Sequence, residues 1–320
     1  MSKILLTGGA GFIGSSVTDA LLKRGDQVTV IDNFNDFYDP AIKRQNAAEI
    51  TAAGAVVVEG DIRDGELIEK LFEEGDFDGV IHLAAMAGVR PSLLDPMLYE
   101  DVNMRGTLNI LAELQKRPKT RFVFASSSSV YGGNERVPFR EDDEIHHPVS
   151  PYAATKRAGE LMCYTFHHLY GIPTACLRFF TVYGPRQRPE MAIHKFVRAV
   201  HEGQPIPFFG DGTTRRDYTY IDDIVDGVVK SLDHCEGYEI YNLGESDTTS
   251  LSELVQMIGE VCGKEPVLDR QGMQPGDVVI TYADVSKAKE RIGYTPKTLI
   301  REGLERFVDW YRARNPSVRG

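Results

Sequence analysis

Short apolar runs alternate with longer stretches in which apolar residues recur at helical spacing. The runs are rich in β-branched residues, and several are apolar almost from end to end, which is typical of strands buried on both faces of a sheet. Helices are predicted at about residues 12–24, 64–74, 97–117 and 152–170, each long enough for a crossover between parallel strands. Strands are predicted at residues 3–8, 27–32, 55–61, 79–85, 121–127, 174–179 and 238–244. The pattern predicts an α/β fold with a doubly wound parallel sheet.

The pattern changes after about residue 180, where Pro and Gly cluster and regular alternation stops until a helix at residues 222–233. We therefore predict two domains. Residues 1–180 plus about 219–245 form the sheet domain, and about 181–218 plus 246–320 form a smaller C-terminal α/β domain that binds a substrate. The length of 320 residues agrees, since an average domain has roughly 150.

Charge and composition narrow the classes of partner. The chain has 36 Lys plus Arg against 47 Asp plus Glu, a net charge of −11, which disfavours nucleic acid and acidic membrane surfaces. It has neither a signal-peptide core at its N-terminus nor a membrane-length apolar run, so a cytoplasmic protein is expected. The four cysteines form no CxxC pair and no metal-ligand spacing, and no metal site is predicted.

A glycine-rich turn follows the first predicted strand. The stretch TGGAGFIG places Gly8, Gly11 and Gly14 where they permit a tight turn, close approach of a pyrophosphate and packing of the next helix. Asp32 ends the second strand, where a carboxylate accepts from ribose hydroxyls and repels a 2′-phosphate, so NAD is favoured over NADP. The fold is therefore predicted to be of the Rossmann type. The predicted cofactor-binding residues are Gly8, Gly11, Phe12, Ile13, Gly14, Asp32, Asn33, Asn35, Asp61, Ile62, Leu83, Ala84, Ala85, Asn103, Tyr152 and Lys156.

A second motif predicts acid–base chemistry. In PYAATK, Tyr152 and Lys156 are four residues apart, which puts a phenol and an ammonium on one helical face. A tyrosine base at pH 7 needs its pKa lowered by about three units from 10, on the order of 4 kcal/mol. One cation about 4 Å away at an effective dielectric near 20 supplies roughly that much. Lys156, with a positively charged nicotinamide, can thus make Tyr152 a proton acceptor, and a serine from ASSSSVYGG can share the substrate oxygen.

The motifs TGGAGFIG, SSSSVYG and YAATK resemble those of the extended short-chain dehydrogenase/reductase family of nucleotide-sugar enzymes, and YGP, RRDYTYIDD and QPGD extend the similarity across the chain. The resemblance implies that Ser127 is the catalytic partner of Tyr152 and Lys156. Members that are 4,6-dehydratases have an Asp-Glu pair at the positions of Ser128 and Ser129, and decarboxylating UDP-xylose synthases have Glu at the latter. This chain has only hydroxyls there, which favours epimerisation.

A finer similarity, to UDP-glucuronate 4-epimerases, lies in NFNDFYDPAIKRQ, AAMAGVRPS and RFFTVYGPRQRPEMAIHKF. Their Arg-Pro-Asp-Met motif reads Arg188-Pro189-Glu190-Met191 here, and a guanidinium is suited to grip a carboxylate. Neutral-sugar members commonly have Asn where Thr181 stands. The resemblance assigns the diphosphate to Arg216, uracil stacking to Phe209, and sugar or phosphate contacts to Gln274 and Asp277. The predicted substrate-binding residues are Arg90, Ser127, Ser128, Thr181, Arg188, Phe209, Arg216, Gln274 and Asp277.

Several alternatives stay open from the sequence. The same chemistry on UDP-glucose is the first, a 4,6-dehydratase or decarboxylase is the second, and an NAD-binding regulator or an ordinary dehydrogenase that releases NADH are the others. The family resemblance also implies a homodimer formed through the helices at 97–117 and 152–170, whose apolar residues include Leu108, Leu111, Leu161 and Phe166. A small anionic substrate requires a locally basic cleft, predicted from Arg90, Arg186, Arg188, Lys195, Arg215 and Arg216.

The assignment of Arg188 can be tested directly. A 4-keto uronate is a β-keto acid that loses CO2 when its carboxylate can rotate, and Arg188, with Thr181 and Ser128, is predicted to hold that carboxylate. Arg188→Ala should therefore release a pentose product alongside the epimer, measured by chromatography of the products from UDP-glucuronate. Complete loss of activity without pentose, or wild-type behaviour, would contradict the assignment.

Overall fold

The computed structural model describes residues 1–272 and 278–315. The strands within them are β1 (Lys3–Thr7), β2 (Gln27–Asp32), β3 (Val56–Glu59), β4 (Gly79–His82), β5 (Arg121–Ser127), β6 (Thr174–Phe179), β7 (Thr181–Tyr183), β8 (Ile206–Phe209), β9 (Arg215–Arg216), β10 (Tyr218–Tyr220), β11 (Tyr238–Leu243), β12 (Thr249–Ser250) and β13 (Leu268–Gln271). Seven of these strands form one parallel sheet in the order β11-β6-β5-β4-β1-β2-β3. The other six form three two-stranded sheets, in which β10 pairs with β7, β12 with β9 and β13 with β8.

Helices connect the strands and cover the sheet. A π-helical turn lies at Asp101–Arg105, and a 3-10 turn (Ser128–Tyr131) follows β5. No helix in the two described ranges is long and apolar enough to cross a membrane. The α-helices are α1 (Phe12–Arg24), α2 (Pro40–Ala52), α3 (Gly65–Gly75), α4 (Val89–Leu94), α5 (Pro96–Glu100), α6 (Gly106–Gln115), α7 (Pro151–Tyr170), α8 (Ala192–Glu202), α9 (Ile221–Asp233), α10 (Leu251–Cys262), α11 (Ser286–Ile292) and α12 (Ile300–Arg314).

The predicted fold class is confirmed, and all seven predicted strands are present in the large sheet. The helix predicted over residues 97–117 is instead divided by the π-helical turn. Among the helices that the sequence pattern did not predict are α2 and α8. α2 has few large apolar residues and begins through local chemistry, since Asp39 accepts from the Ala41 amide at 2.9 Å and Pro40 occupies the first turn. α8 lies in the Pro- and Gly-rich region but is strongly amphipathic, burying Ile193, Phe196 and Val200.

One apolar core runs through both halves of the described chain. It joins residues of β1 and α1 to residues of α8, α10 and α12 without a break. In the C-terminal half, α10 packs against both α8 and α12, and its first turn is fixed by a capping box between Ser250 and Glu253. The core is continuous, so the division into two domains with the boundaries given above stays a prediction.

A buried ion pair holds α7 against the sheet. Glu160 of α7 accepts from Arg178 of β6 through both carboxylate oxygens, at 2.9 and 3.0 Å, and neither side chain is more than 1% exposed. Glu160 also accepts from Ser126 at 2.6 Å, and Arg178 donates to the Tyr131 hydroxyl at 2.9 Å. The pair therefore connects the helix that contains Tyr152 and Lys156 to the end of β5.

Removing one member of this pair should destabilise the fold. Arg178→Met leaves the Glu160 carboxylate buried without its main cation, which we expect to cost about 3–5 kcal/mol in the free energy of unfolding. The measurement is urea unfolding followed by far-UV circular dichroism. As a control, Arg44→Ala breaks the exposed Arg44–Glu59 pair and should cost at most about 1 kcal/mol. If Arg178→Met and Arg44→Ala lowered the free energy of unfolding equally, burial would not be what makes the Arg178–Glu160 pair important.

Candidate active site

A cavity of about 520 Å³ opens at the carboxyl ends of the central strands. It lies where the strand order reverses, between β1 and β4, which is the point where open parallel sheets bind ligands. The residues that line it come from the turn after β1, the end of β2, the segment after β4, the end of β5, the start of α7 and the segment around β7.

Two positions of the glycine-rich turn, Gly8 and Gly14, have no room for a larger residue. Gly8 has φ +71°, and a Cβ on it would lie 2.8 Å from the backbone nitrogen of Ala84. A Cβ on Gly14 would lie 2.2 Å from the Gly8 carbonyl oxygen. Gly8, Gly11, Phe12, Ile13 and Gly14 all line the cavity, so the N-terminus of α1 opens directly into it. This cradle fits the pyrophosphate of a dinucleotide, which helix N-termini bind through backbone N–H groups.

Asp32 lies beside the glycine-rich turn, at the end of β2. Its two oxygens accept from the Ala10 amide at 3.1 Å and the Phe34 amide at 3.0 Å. Burial raises the pKa of Asp32, against the lowering effect of these hydrogen bonds and of Lys43. Lys43, which was not predicted, also lines the cavity and donates to both the carbonyl and the side-chain oxygen of Asn35. The carboxylate and its neighbours fit a ribose with free hydroxyls.

The other predicted cofactor residues divide into two groups. Asn33, Asn35, Ile62, Leu83, Ala84 and Ala85 line the cavity with Asp32. Asp61 and Asn103 do not. The Asp61 carboxylate accepts from Arg63, which lowers its pKa to about 2, and from Asn33. The buried amide of Asn103 binds the Met86 backbone and Thr155. Both residues support the wall from behind, and their roles toward the cofactor stay predictions.

Three predicted catalytic side chains meet at one end of the cavity. Ser150 caps α7 by accepting from the Ala153 amide, and Tyr152 and Lys156 follow on the first two turns. Lys156 is 4% exposed, and its Nζ donates to the Ala125 carbonyl oxygen at 2.7 Å. Ser127 ends β5, where its Oγ accepts from the backbone amide and the hydroxyl of Ser129.

Burial governs the electrostatics at Tyr152. Burial raises the pKa of Tyr152, and this effect exceeds the lowering by the hydrogen bond with Ser127 and the charge of Arg188. Burial also lowers the pKa of Lys156 to about 8. The sequence analysis combined Lys156 with a positively charged nicotinamide to lower the pKa of Tyr152, and that stays a prediction.

The predicted substrate residues are only partly in this cavity. Ser128, Thr181, Arg188 and Arg216 line it together with Ser127. Arg188 Nε lies 3.0 Å from Glu190, and its guanidinium lies 5.5 Å from the centre of the Phe37 ring. Arg90 and Phe209 are outside this lining but contact each other, with the guanidinium 5.2 Å from the ring centre. Gln274 and Asp277 lie outside the described residues.

The predicted basic cleft is smaller than expected. Arg188 and Arg216 line the cavity. Arg186 instead pairs with Asp19 and Glu49, and Arg215 binds Thr248 and Glu253, because each points away from the cavity. Lys195 is exposed on α8. The sequence analysis did not indicate Phe37, Tyr38 and Met191 as cavity residues, although all three lie in motifs quoted above.

Known proteins share this fold and these motifs. Residues 4–244 match a model described as the NAD dependent epimerase/dehydratase family. The UDP-glucuronate 4-epimerase of Thermodesulfobacterium geofontis (strain OPF15) is 43% identical over 312 residues, which cover 97% of this chain and 96% of that protein. The structure of UDP-glucuronic acid 4-epimerase from Bacillus cereus with UDP-glucuronic acid and NAD is 36% identical, with a TM-score of 0.92, over 98% of this chain and 99% of that one. A UDP-glucose 4-epimerase from Thermotoga maritima with UDP-glucose is 35% identical, with a TM-score of 0.89, over 97% and 99%.

The buried ammonium should make stability depend on pH in a defined direction. The pKa of Lys156 falls from 10.5 to about 8 on folding because of burial, so between these values the unfolded chain binds more protons than the folded one. Stability of the cofactor-free protein should therefore rise with pH across this range, by about 3 kcal/mol relative to Lys156→Met. Urea unfolding of both proteins from pH 7 to 10.5 measures the difference, and parallel pH curves would contradict it.

Proposed function

The chain belongs to the NAD dependent epimerase/dehydratase family, and from this we propose that it is an NAD-dependent isomerase, a UDP-glucuronate 4-epimerase that forms UDP-galacturonate. Its similarity to enzymes of that name over nearly its whole length supports both the substrate and the cofactor. The observation that favours this function most is the meeting of Ser127, Tyr152 and Lys156 with Arg188 in one cavity. The family membership predicted from the motifs is confirmed.

The cofactor is held by residues whose geometry fits it. The turn from Gly8 to Gly14 and the N-terminus of α1 would bind the pyrophosphate, and Asp32 would accept from the ribose hydroxyls. When bound, NAD supplies a nicotinamide that takes a hydride from C4 of the sugar and returns it. Next to Lys156, Tyr152 would also face the positive charge of that nicotinamide, which favours the ionised phenol.

Tyr152 and Ser127 are proposed to act on the C4 hydroxyl of the sugar. Tyr152 accepts the proton of the C4 hydroxyl, and Ser127 holds the same oxygen by a hydrogen bond. The resulting 4-keto sugar turns about its diphosphate link and presents its other face. Tyr152 would then return the proton to the C4 oxygen, so that the sugar is inverted at C4 with no net oxidation.

Arg188 supports a uronate rather than a neutral sugar. Its guanidinium lies against Phe37 and lines the cavity that contains Tyr152, and Thr181 and Ser128 line the same cavity. A planar guanidinium binds a carboxylate through two parallel hydrogen bonds, which stops the carboxylate of the 4-keto uronate from rotating into the geometry that releases CO2. UDP-glucose lacks the carboxylate and gains nothing from Arg188, so the neutral-sugar alternative is not favoured.

The two residues after Ser127 disfavour a dehydratase. Ser128 and Ser129 line the cavity as hydroxyls, where resemblance to the dehydratases would require an Asp-Glu pair. No described side chain at these positions can remove the C5 proton or protonate the leaving C6 hydroxyl.

We also propose a location, a domain division and an oligomeric state. The chain acts in the cytoplasm, has the two-domain division given above, and forms a homodimer through the faces of α6 and α7. Exposed Leu108, Leu161 and Tyr164 support the dimer. Leu111, expected on the same face, is instead fully buried in its own core and is available to no partner.

The function is tested by supplying the purified protein with UDP-glucuronate and NAD. We expect UDP-galacturonate to form by NMR of the sugar protons, while NADH absorbance at 340 nm stays flat because no net oxidation occurs. Tyr152→Phe removes the proton acceptor and should lower kcat by at least about 10²-fold while substrate binding persists.

A parallel assay with UDP-glucose is the specificity control. A clear preference for UDP-glucose would overturn the uronate assignment, and NADH that accumulates with turnover would identify a dehydrogenase instead.

A further inference from the structure

The segment that brings Arg188 into the cavity has a constrained backbone. It consists of residues 184–191, between β7 and α8, and we call it the Arg188 loop. Arg186 has φ +67°, a left-handed conformation that a non-glycine residue adopts only when its surroundings impose it. Gly184 has φ +138°, and a Cβ on it would lie 2.5 Å from Ile221. The loop is thus held in one conformation just before Arg188.

The side chain of Arg186 is held by two carboxylates. Its guanidinium is mostly buried and donates in two directions, from Nη1 to Asp19 at 2.8 Å and from Nη2 to Glu49 at 2.9 Å. Asp19 lies on α1 and Glu49 on α2. The Arg186 bridge, as we name these contacts, joins the loop to both helices that flank β2. Arg314 of α12 binds the other oxygen of Glu49 at 2.6 Å.

The next residue fixes the loop from its other side. Gln187 is 2% exposed. Its side-chain Nε2 donates to the Val182 carbonyl oxygen at 3.1 Å, and its side-chain Oε1 accepts from the His194 backbone N–H at 3.1 Å. The ring nitrogen Nδ1 of His194 lies 2.7 Å from the Gln187 carbonyl oxygen. Arg186 and Gln187 therefore anchor the backbone to separate elements before it reaches Arg188.

We propose that Arg186 is a positioning residue for substrate recognition, which acts through Arg188. Its bridge to α1 and α2 sets the distance between the loop and the cofactor-binding wall, and Arg188 projects from that loop across the cavity. The inference rests on the proposed function, because it requires Arg188 to hold the uronate carboxylate. Arg186 itself touches neither the cavity nor the catalytic group.

Loss of the bridge has a specific consequence for the reaction. Without the guanidinium, the backbone at position 186 can leave the left-handed region, and Arg188 moves with it. The carboxylate of the bound sugar is then held less firmly, so substrate affinity falls and CO2 loss from the 4-keto uronate rises. The glycine turn and Asp32 are outside the loop, so binding of the cofactor should be retained.

The experiment compares three variants of the full chain. Arg186→Ala should raise KM for UDP-glucuronate at least fivefold with a smaller change in kcat, and should increase the share of pentose in the product. Arg186→Lys can reach only one of the two carboxylates and should fall between Arg186→Ala and wild type. Arg314→Ala is the matched control, because it removes another guanidinium from the same Glu49 without touching the loop, and its KM and pentose share should match wild type.

A second measurement follows the loop directly. Hydrogen exchange read by mass spectrometry should show faster exchange of residues 184–191 in Arg186→Ala than in Arg314→Ala, and NADH titration should give the same affinity in both. If Arg186→Ala does not fold, the double variant Asp19→Asn, Glu49→Gln replaces it. This variant removes the two carboxylate charges that bind Arg186, and the same measurements apply to it.

The outcomes separate this proposal from the proposed function. Faster exchange in the loop of a protein that does not act on UDP-glucuronate would overturn the function and, with it, the role of Arg186 in recognition. An active wild type with unchanged KM, pentose share and loop exchange in Arg186→Ala would overturn the Arg186 proposal alone. Equal effects of Arg186→Ala and Arg314→Ala would reduce Arg186 to a structural residue and also overturn it.

Discussion

The site depends on how closely the turn after β1 approaches the chain leaving β4. At this contact the Gly8 α-carbon faces the Ala84 backbone, and a methyl group on Gly8 would lie 2.8 Å from its nitrogen. Because β1 and β4 are neighbours from which the chain departs in different directions, the cavity opens beside that contact. A wider turn would move the N-terminus of α1 away from the cavity and remove the pyrophosphate cradle.

The residues proposed for catalysis, Ser127, Tyr152 and Lys156, depend on a second contact, between α7 and β5. Lys156 is tied to the Ala125 carbonyl oxygen, and Glu160, one turn further along α7, is tied to Ser126 and Arg178. These bonds place Ser127 and Tyr152 on facing elements with little freedom to move apart. The same burial that creates this rigidity lowers the pKa of Lys156 and raises that of Tyr152. Rigidity and low basicity of the ammonium are therefore two results of one packing arrangement.

Arg188, the residue proposed to bind the substrate carboxylate, comes from a different part of the chain. Its loop, residues 184–191 in the C-terminal half, is joined to α1 and α2 by Arg186. Both arginines contact carboxylates, but Arg186 binds Asp19 and Glu49 of the two helices, whereas Arg188 pairs with Glu190 of its own loop and lines the cavity. The loop therefore connects α1 and α2 to the proposed substrate-binding residue.

The sequence by itself determined the sheet, the glycine cradle and the catalytic motif, because each depends on local spacing. Seven buried strands, the glycines at 8, 11 and 14, and the Tyr152–Lys156 pair are all readable from a few neighbouring residues. Only the tertiary structure decided which cations face the cavity. The local pattern placed both Arg186 and Arg188 in the basic cleft, and only the similarity to a family motif singled out Arg188. The pattern also did not predict the helices α2 and α8. A side chain's partner is chosen by elements distant in the chain, such as Asp19 and Glu49 for Arg186, and local pattern contains no information about those distances.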